Sequence, residues 1–198
     1  MNPEARLFEV ADRQQGYFTS QQAEECGISR SNFHFRLRSG EWEKSLRGIY
    51  RLIRYPVTDR SELVLWILWS RDKKGNSQGV WSHETALDIH EMSDIMPSKM
   101  HMTVPLHFRR RVAIPKNLKL HYATLPKSDK EDWQGYQVTT PLRTLLDIIE
   151  EGIVPQDQIE QAIRDGIQKG ILMLQDLNEN HYPQLKKYKD LYVHKYKI

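Results

Sequence analysis

Cysteine is nearly missing: Cys26 is the only one in 198 residues, which excludes an intramolecular disulfide and a thiolate metal cluster. Long apolar runs are missing too. The longest, Leu63 to Trp69, covers seven residues, against the roughly 18–20 that a membrane-spanning helix needs, so no membrane partner is expected. The opening Met1-Asn2-Pro3-Glu4 has neither the basic nor the apolar stretch of a secretion signal, and the expected localisation is cytoplasmic. Net charge is low, +3, and does not imply a nucleic-acid partner by itself. Apolar side chains are not in short supply. Hydrophobic residues make up 39%, with five Trp, nine Tyr and five Phe, which rules out wholesale disorder. The length suits one ordinary domain or two small ones.

The charge is unevenly distributed. Residues 27–54 carry a net +5 and residues 99–130 a net +7, whereas residues 131–185 carry −7. Basic stripes are the electrostatic footprint of nucleic-acid binding when they fall on one face. Whether they do depends on the fold.

Helical spacing runs over 3–14, with Gly16 ending it. Tyr17-Phe18 reads as a short apolar link. Thr19 or Ser20 caps a second helix, Gln21 to Cys26, closed by Gly27, and Ser29 caps a third through about Ser39. Trp42, Leu46, Ile49-Tyr50 and Leu52 around Gly48 predict a two-stranded ribbon. Beyond Pro56, helices are expected over 62–70, 82–90, 142–150 and 155–169, with a less regular one over 172–178. Short strands are expected over 100–104, 112–114, 118–123 and 136–139. The tail from Leu185 alternates Lys with Tyr, Leu and Val, as a closing strand or a basic arm would. The fold class is therefore α/β (α+β). An N-terminal winged helix-turn-helix over 1–54 precedes a mixed α/β domain over 59–198, with a small sheet flanked by helices.

The helix-turn-helix rests on residue types with distinct tasks. Ala23 lets two helices approach, Gly27 makes the turn, and Ile28, Phe33 and Leu37 form the inward stripe. That register leaves Arg30, Ser31, His34 and Arg38 outward, with Asn32 and Phe35 at the flanks. Arg and Asn pair bidentately with purine edges, and Ser bonds base or phosphate. On the wing, Lys44, Arg47 and Arg51 are available for phosphates or the minor groove. A plain three-helix bundle explains the apolar pattern equally well; the basic excess on the half that would meet DNA favours the reader. Arg109-Arg110-Arg111 is a third basic feature. It serves as a phosphate patch, a site for an acidic partner or solvated charge, and Lys99, Lys116, Lys119, His101 and His107 would extend it.

Signs of catalysis are sparse. There is no Gly-rich phosphate loop, no G-x-S-x-G elbow and no Cys/His metal spacing. His83, Glu84, Asp88 and His90 lack the i, i+4 histidine pair of a metalloprotease helix and read as exposed polar residues. Asp147 reads as an i, i+4 partner of Arg143. No catalytic residue, cofactor or metal is expected. Scattered acids leave open a metal-dependent nuclease delivered to DNA by the N-terminal module, and the basic face leaves open a protein-interaction module.

Several segments together resemble one family. They are Phe18-Thr19-Ser20-Gln21-Gln22-Ala23, Gly27-Ile28-Ser29, Gly48-Ile49-Tyr50-Arg51-Leu52, Ser82-His83-Glu84-Thr85-Ala86-Leu87, Met102-Thr103-Val104-Pro105 and Val138 to Asp147 with its Thr-Pro-x-Arg-Thr core. The chain resembles AbiEi-type antitoxins, transcriptional regulators of type IV toxin–antitoxin, abortive-infection systems, over most of residues 4–165. That resemblance implies a winged helix-turn-helix that binds inverted repeats in its own promoter, represses its operon, and carries an antitoxin domain opposing a nucleotidyltransferase-like toxin. It also implies base reading by Arg30, Ser31, His34 and Arg38 and backbone contacts by Lys44, Arg47 and Arg51. A single module buries limited surface, so specificity calls for two half-sites and a homodimer or cooperatively bound copies.

Overall fold

Local signals set the helix starts. In the computed structural model, which describes residues 2–196, Asn2 accepts the amide of Ala5 at 2.7 Å and Pro3 takes the first turn of α1 (Pro3–Asp12). Thr19 accepts the amide of Gln22 at 3.2 Å while the Gln22 side chain accepts the amide of Thr19 at 2.9 Å. This reciprocal cap begins α2 (Ser20–Glu25). Gly27 then turns the chain at φ +95°, a left-handed conformation that glycine adopts without cost. A 3-10 turn over Arg30–Asn32 leads into α3 (Phe33–Arg38). The third helix expected from the sequence is thus two short pieces. The Ser29 hydroxyl pairs with that of Ser31 at 2.8 Å and makes no cap bond.

The chain divides into two compact units, Met1–Gly79 with Asp132–Tyr136 and Val80–Glu131 with Gln137–Ile198. In the first, β2 (Trp42–Leu46) and β3 (Ile49–Leu52) form the wing, and β1 (Tyr17–Thr19) adds a third antiparallel strand in the order β1-β3-β2. The supposed apolar link is therefore a strand, pairing Phe18 with Tyr50. Leu7, Ala11, Phe18, Ala23, Cys26, Ile28, Phe33 and Trp42 make the core, and Leu37, Tyr50 and Leu52 pack against it. Cys26 is a buried apolar plug. The apolar helix α4 (Ser61–Trp69) packs on β1 and β3.

The second unit holds β4 (Val80–Trp81), α5 (His83–His90), β5 (Met100–Val104), β6 (Leu118–Tyr122), α6 (Pro141–Glu151), α7 (Gln156–Gln168) and α8 (Lys186–Tyr196). With β7 (Lys130–Trp133) and β8 (Tyr136–Thr139) its strands form a five-stranded sheet in the order β6-β5-β4-β8-β7. β4 is antiparallel to β5, while β5–β6 and β4–β8 are parallel. The Thr-Pro-x-Arg-Thr segment starts α6: Thr140 Oγ1 accepts the Arg143 amide at 3.3 Å, Pro141 occupies the first turn, and the Thr139 and Thr144 hydroxyls lie 2.7 Å apart in the interior. Arg143 pairs with buried Asp147 at 2.7 Å, as its i, i+4 spacing predicts.

Three expectations need correction. The tail is the helix α8, neither strand nor free arm. Buried Leu185 and the partly buried Tyr188 and Tyr192 join the core of α6 and α7, a 3-4 spacing hidden beneath the Lys/Tyr alternation. Lys197 and Ile198 of that tail lie outside the described residues. Residues 112–114 form no strand, with Val112 and Ile114 about half exposed on a loop. Residues 172–178 yield only a 3-10 turn, Leu174–Asp176, because Leu172 and Leu177 are both drawn into the core.

Phe33 is 5% exposed and meets Trp42 and Tyr50 edge-on, with ring centroids at 5.2 and 5.5 Å. Phe33→Ala is expected to cost roughly 3–5 kcal/mol of stability. Urea unfolding measures it, and an unchanged midpoint would overturn the register of α3.

Candidate functional site

The inward turn of Phe33 and Leu37 decides which face of the helix-turn-helix meets a ligand. Arg30, Ser31, Asn32, His34, Phe35 and Arg38 are all exposed, as the register requires. Arg30 Nε stands 3.5 Å from Glu24 Oε1 in a pair open to solvent, an interaction of small worth that a phosphate or base readily displaces. Phe35 is 59% exposed beside the His34 ring, whose centroid is 3.8 Å away. A solvent-facing aromatic beside hydrogen-bonding side chains suits contact with a thymine methyl. Arg36 belongs to the scaffold: it binds Glu4 at 2.5 Å and also Glu41. Those hydrogen bonds, Glu41 first, raise its pKa further.

The wing presents Lys44 and Arg47 to solvent on either side of a bulge between Lys44 and Leu46. Arg51 departs from the sequence-based expectation. It is 5% exposed, its guanidinium reaching Glu43 at 3.5 Å and the Tyr55 carbonyl, over the ring of Tyr17. Strand alternation is the cause: Tyr50 and Leu52 face the aromatic core, so Ile49 and Arg51 share the opposite, also buried, face. Arg51 holds the base of the wing and is withdrawn from any backbone contact.

Arg109, Arg110 and Arg111 are exposed on the segment between β5 and β6, in the second unit. Arg109 donates to the carbonyl of Phe108 at 2.8 Å. Lys99, His107 and Lys116 are exposed as well, whereas His101 and Lys119 are not part of that surface.

Residues 5–53 match the family model of "Transcriptional regulator, AbiEi antitoxin". The winged module just described is thus similar to that family over those residues. The architecture resembles the crystal structure of the RV2827C protein from Mycobacterium tuberculosis, with a TM-score of 0.56 and 13% identity, over 95% of this chain and 76% of that one. At that identity the likeness concerns fold. No match was found among curated proteins.

Beyond the winged module, the second unit contains a polar constellation that its sequence pattern had placed on the surface. His83 and His90 are buried and Glu84 is mostly so, while Asp88 is exposed. His90 Nε2 lies 2.7 Å from the Thr139 carbonyl, a structural bond. The other two join residues from three further elements. Strand period two puts His101 and Thr103 on one face of β5, and the parallel register, His101 opposite Lys119 and Thr103 opposite His121, puts Lys119 and His121 on the same face of β6. His83 and Glu84 come from the start of α5 and Glu151 from the end of α6.

The distances are short. His101 Nδ1 is 2.6 Å from Glu84 Oε2 and 3.3 Å from His121 Nε2. The His83 and His121 rings stack with centroids 3.6 Å apart and planes 14° apart. Lys119 binds Glu151 Oε1, and His83 Nε2 lies 4.0 Å from Glu151 Oε2. Burial pushes the His83 pKa down to about 3 and that of His121 to about 4, with nearby imidazoles adding to the fall. His83 also carries a positive φ of 52°, unusual for a residue with a Cβ. The recurrence of His at 83, 101 and 121 was the available signal; spacing rules for local motifs do not reach it.

The exposed and buried arginines are expected to behave differently. Arg30→Ala and Arg38→Ala each weaken binding to a specific site by about 1–3 kcal/mol if they contact bases, with melting temperature unchanged. Arg51→Ala lowers the melting temperature. Equal losses of Arg30→Ala and Arg38→Ala on random DNA in fluorescence anisotropy would reassign both to phosphates.

Proposed function

We propose that this chain is a sequence-specific DNA-binding regulator, the antitoxin of a type IV toxin–antitoxin system that represses its own operon and counteracts a nucleotidyltransferase-like toxin in abortive infection. The observation that carries this reading is the AbiEi-like winged module with an exposed, basic outer face at Arg30, Ser31, Asn32, His34 and Arg38. Lys44 and Arg47 flank it on the wing. Residues 1–54 act as the reader and residues 59–198 as the antitoxin-like part. A regulator of this kind works in the cytoplasm and by binding, with no bond made or broken. Among the described residues no helix is long and apolar enough to cross a membrane, which fits that place of action.

Recognition in this scheme is divided. The α3 face reads base edges in the major groove, the wing holds phosphates, and two half-sites of an inverted repeat each take one module, in a homodimer or in cooperatively bound copies. Arg109-Arg110-Arg111 supplies further phosphate contacts from the second unit.

The test is a fluorescence-anisotropy titration of the chain's own upstream region against scrambled DNA at two salt concentrations. A large preference for the upstream region that survives the higher salt is expected. Equal, salt-sensitive binding to both would sink the regulator reading and favour a charged surface for an acidic partner. DNA cleavage that requires a divalent metal would favour a nuclease. In the same assay, replacing Arg109-Arg110-Arg111 by Ala is expected to flatten the slope of log K against log salt by roughly 0.9 for each phosphate no longer neutralised. An unchanged slope removes that patch from the footprint.

A further inference from the structure

We propose that the His83, Glu84, His101, His121 and Glu151 cluster in the second unit is a binding site for one divalent transition-metal ion of the zinc class. Donor geometry carries the argument. The ring nitrogens of His83, His101 and His121 lie within 4.8 Å of one another, and so do donor atoms of Glu84, His101 and Glu151. Zinc–nitrogen bonds of about 2.0–2.1 Å make a tetrahedron with edges of roughly 3.3 Å. His101 Nδ1 and His121 Nε2 already stand 3.3 Å apart. The remaining donors reach that spacing by side-chain rotation, His83 turning out of its stack on His121.

The surroundings orient the donors as the residues around metal ligands do. His83 Nδ1 is 2.9 Å from Ser82 Oγ, and Ser82 Oγ accepts from Thr103 Oγ1 at 2.8 Å. That chain fixes the His83 ring and directs Nε2 to the cluster. Lys119 holds Glu151 by Oε1, while Oε2 is buried and makes no hydrogen bond among the described residues. Two carboxylates and one ammonium meet in an interior where the side chains of His83 and His101 are only 8% and 6% exposed. A bound cation occupies the idle Glu151 oxygen.

The donor set selects the ion class. Three imidazoles favour zinc, copper, iron or nickel over magnesium or calcium, which take oxygen ligands. The two three-donor groups share His101, so an ion there is held by at least three protein donors. Such an ion ties α5, β5, β6 and α6 together. The inference is independent of DNA recognition, and the failure of either leaves the other standing.

The experiment uses the full chain, stripped with chelator and titrated with Zn²⁺ by calorimetry and with Co²⁺ by visible absorption. One equivalent is expected to bind, with ligand-field bands of a four- or five-coordinate nitrogen/oxygen site and a raised melting temperature. His121→Gln, at a partly exposed position, and Glu84→Gln are each expected to weaken binding at least about tenfold while circular dichroism stays native. His107→Gln, at an exposed histidine, leaves it unchanged. Native-fold protein binding Zn²⁺ no more tightly than about 0.1 mM, or binding equally well after His121→Gln, overturns the site.

Discussion

Phe33 wedged edge-on against Trp42 and Tyr50 is the contact on which the N-terminal unit depends. It joins three elements at one point: the recognition helix by Phe33, the first wing strand by Trp42 and the second by Tyr50. Phe18 from β1 closes the group, 4.7 Å from Trp42 and 5.9 Å from Tyr50. A six-residue helix is too short to persist alone, so its orientation comes from this packing. Once Phe33 is inside, helical geometry turns His34 and Arg38 outward. Arg36 reinforces the arrangement from outside, binding Glu4 of α1 and Glu41 at the root of the wing. The outer face is thus a consequence of the inner one.

The second unit depends more on how it compensates buried charge. Ionised groups taken out of water cost several kcal/mol each unless paired, so each such group invites an explanation. Arg143 and Asp147 have one: they close the first turns of α6, where the buried threonines 139 and 144 already tie the helix to β8. The histidine–glutamate group joins α5, β5, β6 and α6 through several contacts at once. Its Glu151 Oε2, like Oδ2 of Asp147, is buried without a hydrogen bond among the described residues. A left-handed backbone at His83 adds strain at the same point. Costs gathered at one place are the mark of a site.

What could be read from the sequence follows from how local each signal is. Caps and stops act within four residues, so Thr19, Gly27 and Thr140-Pro141 announce their helices correctly. The inward set Ala23, Ile28, Phe33 and Leu37 is equally local, and Arg30, Ser31, His34 and Arg38 emerge on the outer face that this register leaves. Pairing between distant strands is not local. Tyr17-Phe18 becomes a strand only because β3 accepts it, and Arg51 is buried because both faces of β3 are covered. The tail misleads for another reason: its Lys/Tyr alternation masks the Leu185, Tyr188 and Tyr192 stripe. The histidine cluster draws on residues from 83 to 151, assembled by a parallel strand register that no spacing rule contains.

Charge blocks show the same limit. The basic excess of residues 27–54 stays together because those residues form one contiguous supersecondary unit, and apart from Arg36 and Arg51 its named cations face solvent. The larger excess of residues 99–130 does not stay together. Lys119 is turned to Glu151 inside the second unit, while Arg109, Arg110, Arg111, Lys99 and Lys116 reach solvent from separate points of the chain. A net count over a segment is therefore an argument about a surface only when the segment folds on itself. By that criterion the winged module is the stronger support for DNA recognition, and the arginine triplet enters the footprint only if the salt dependence responds to its loss.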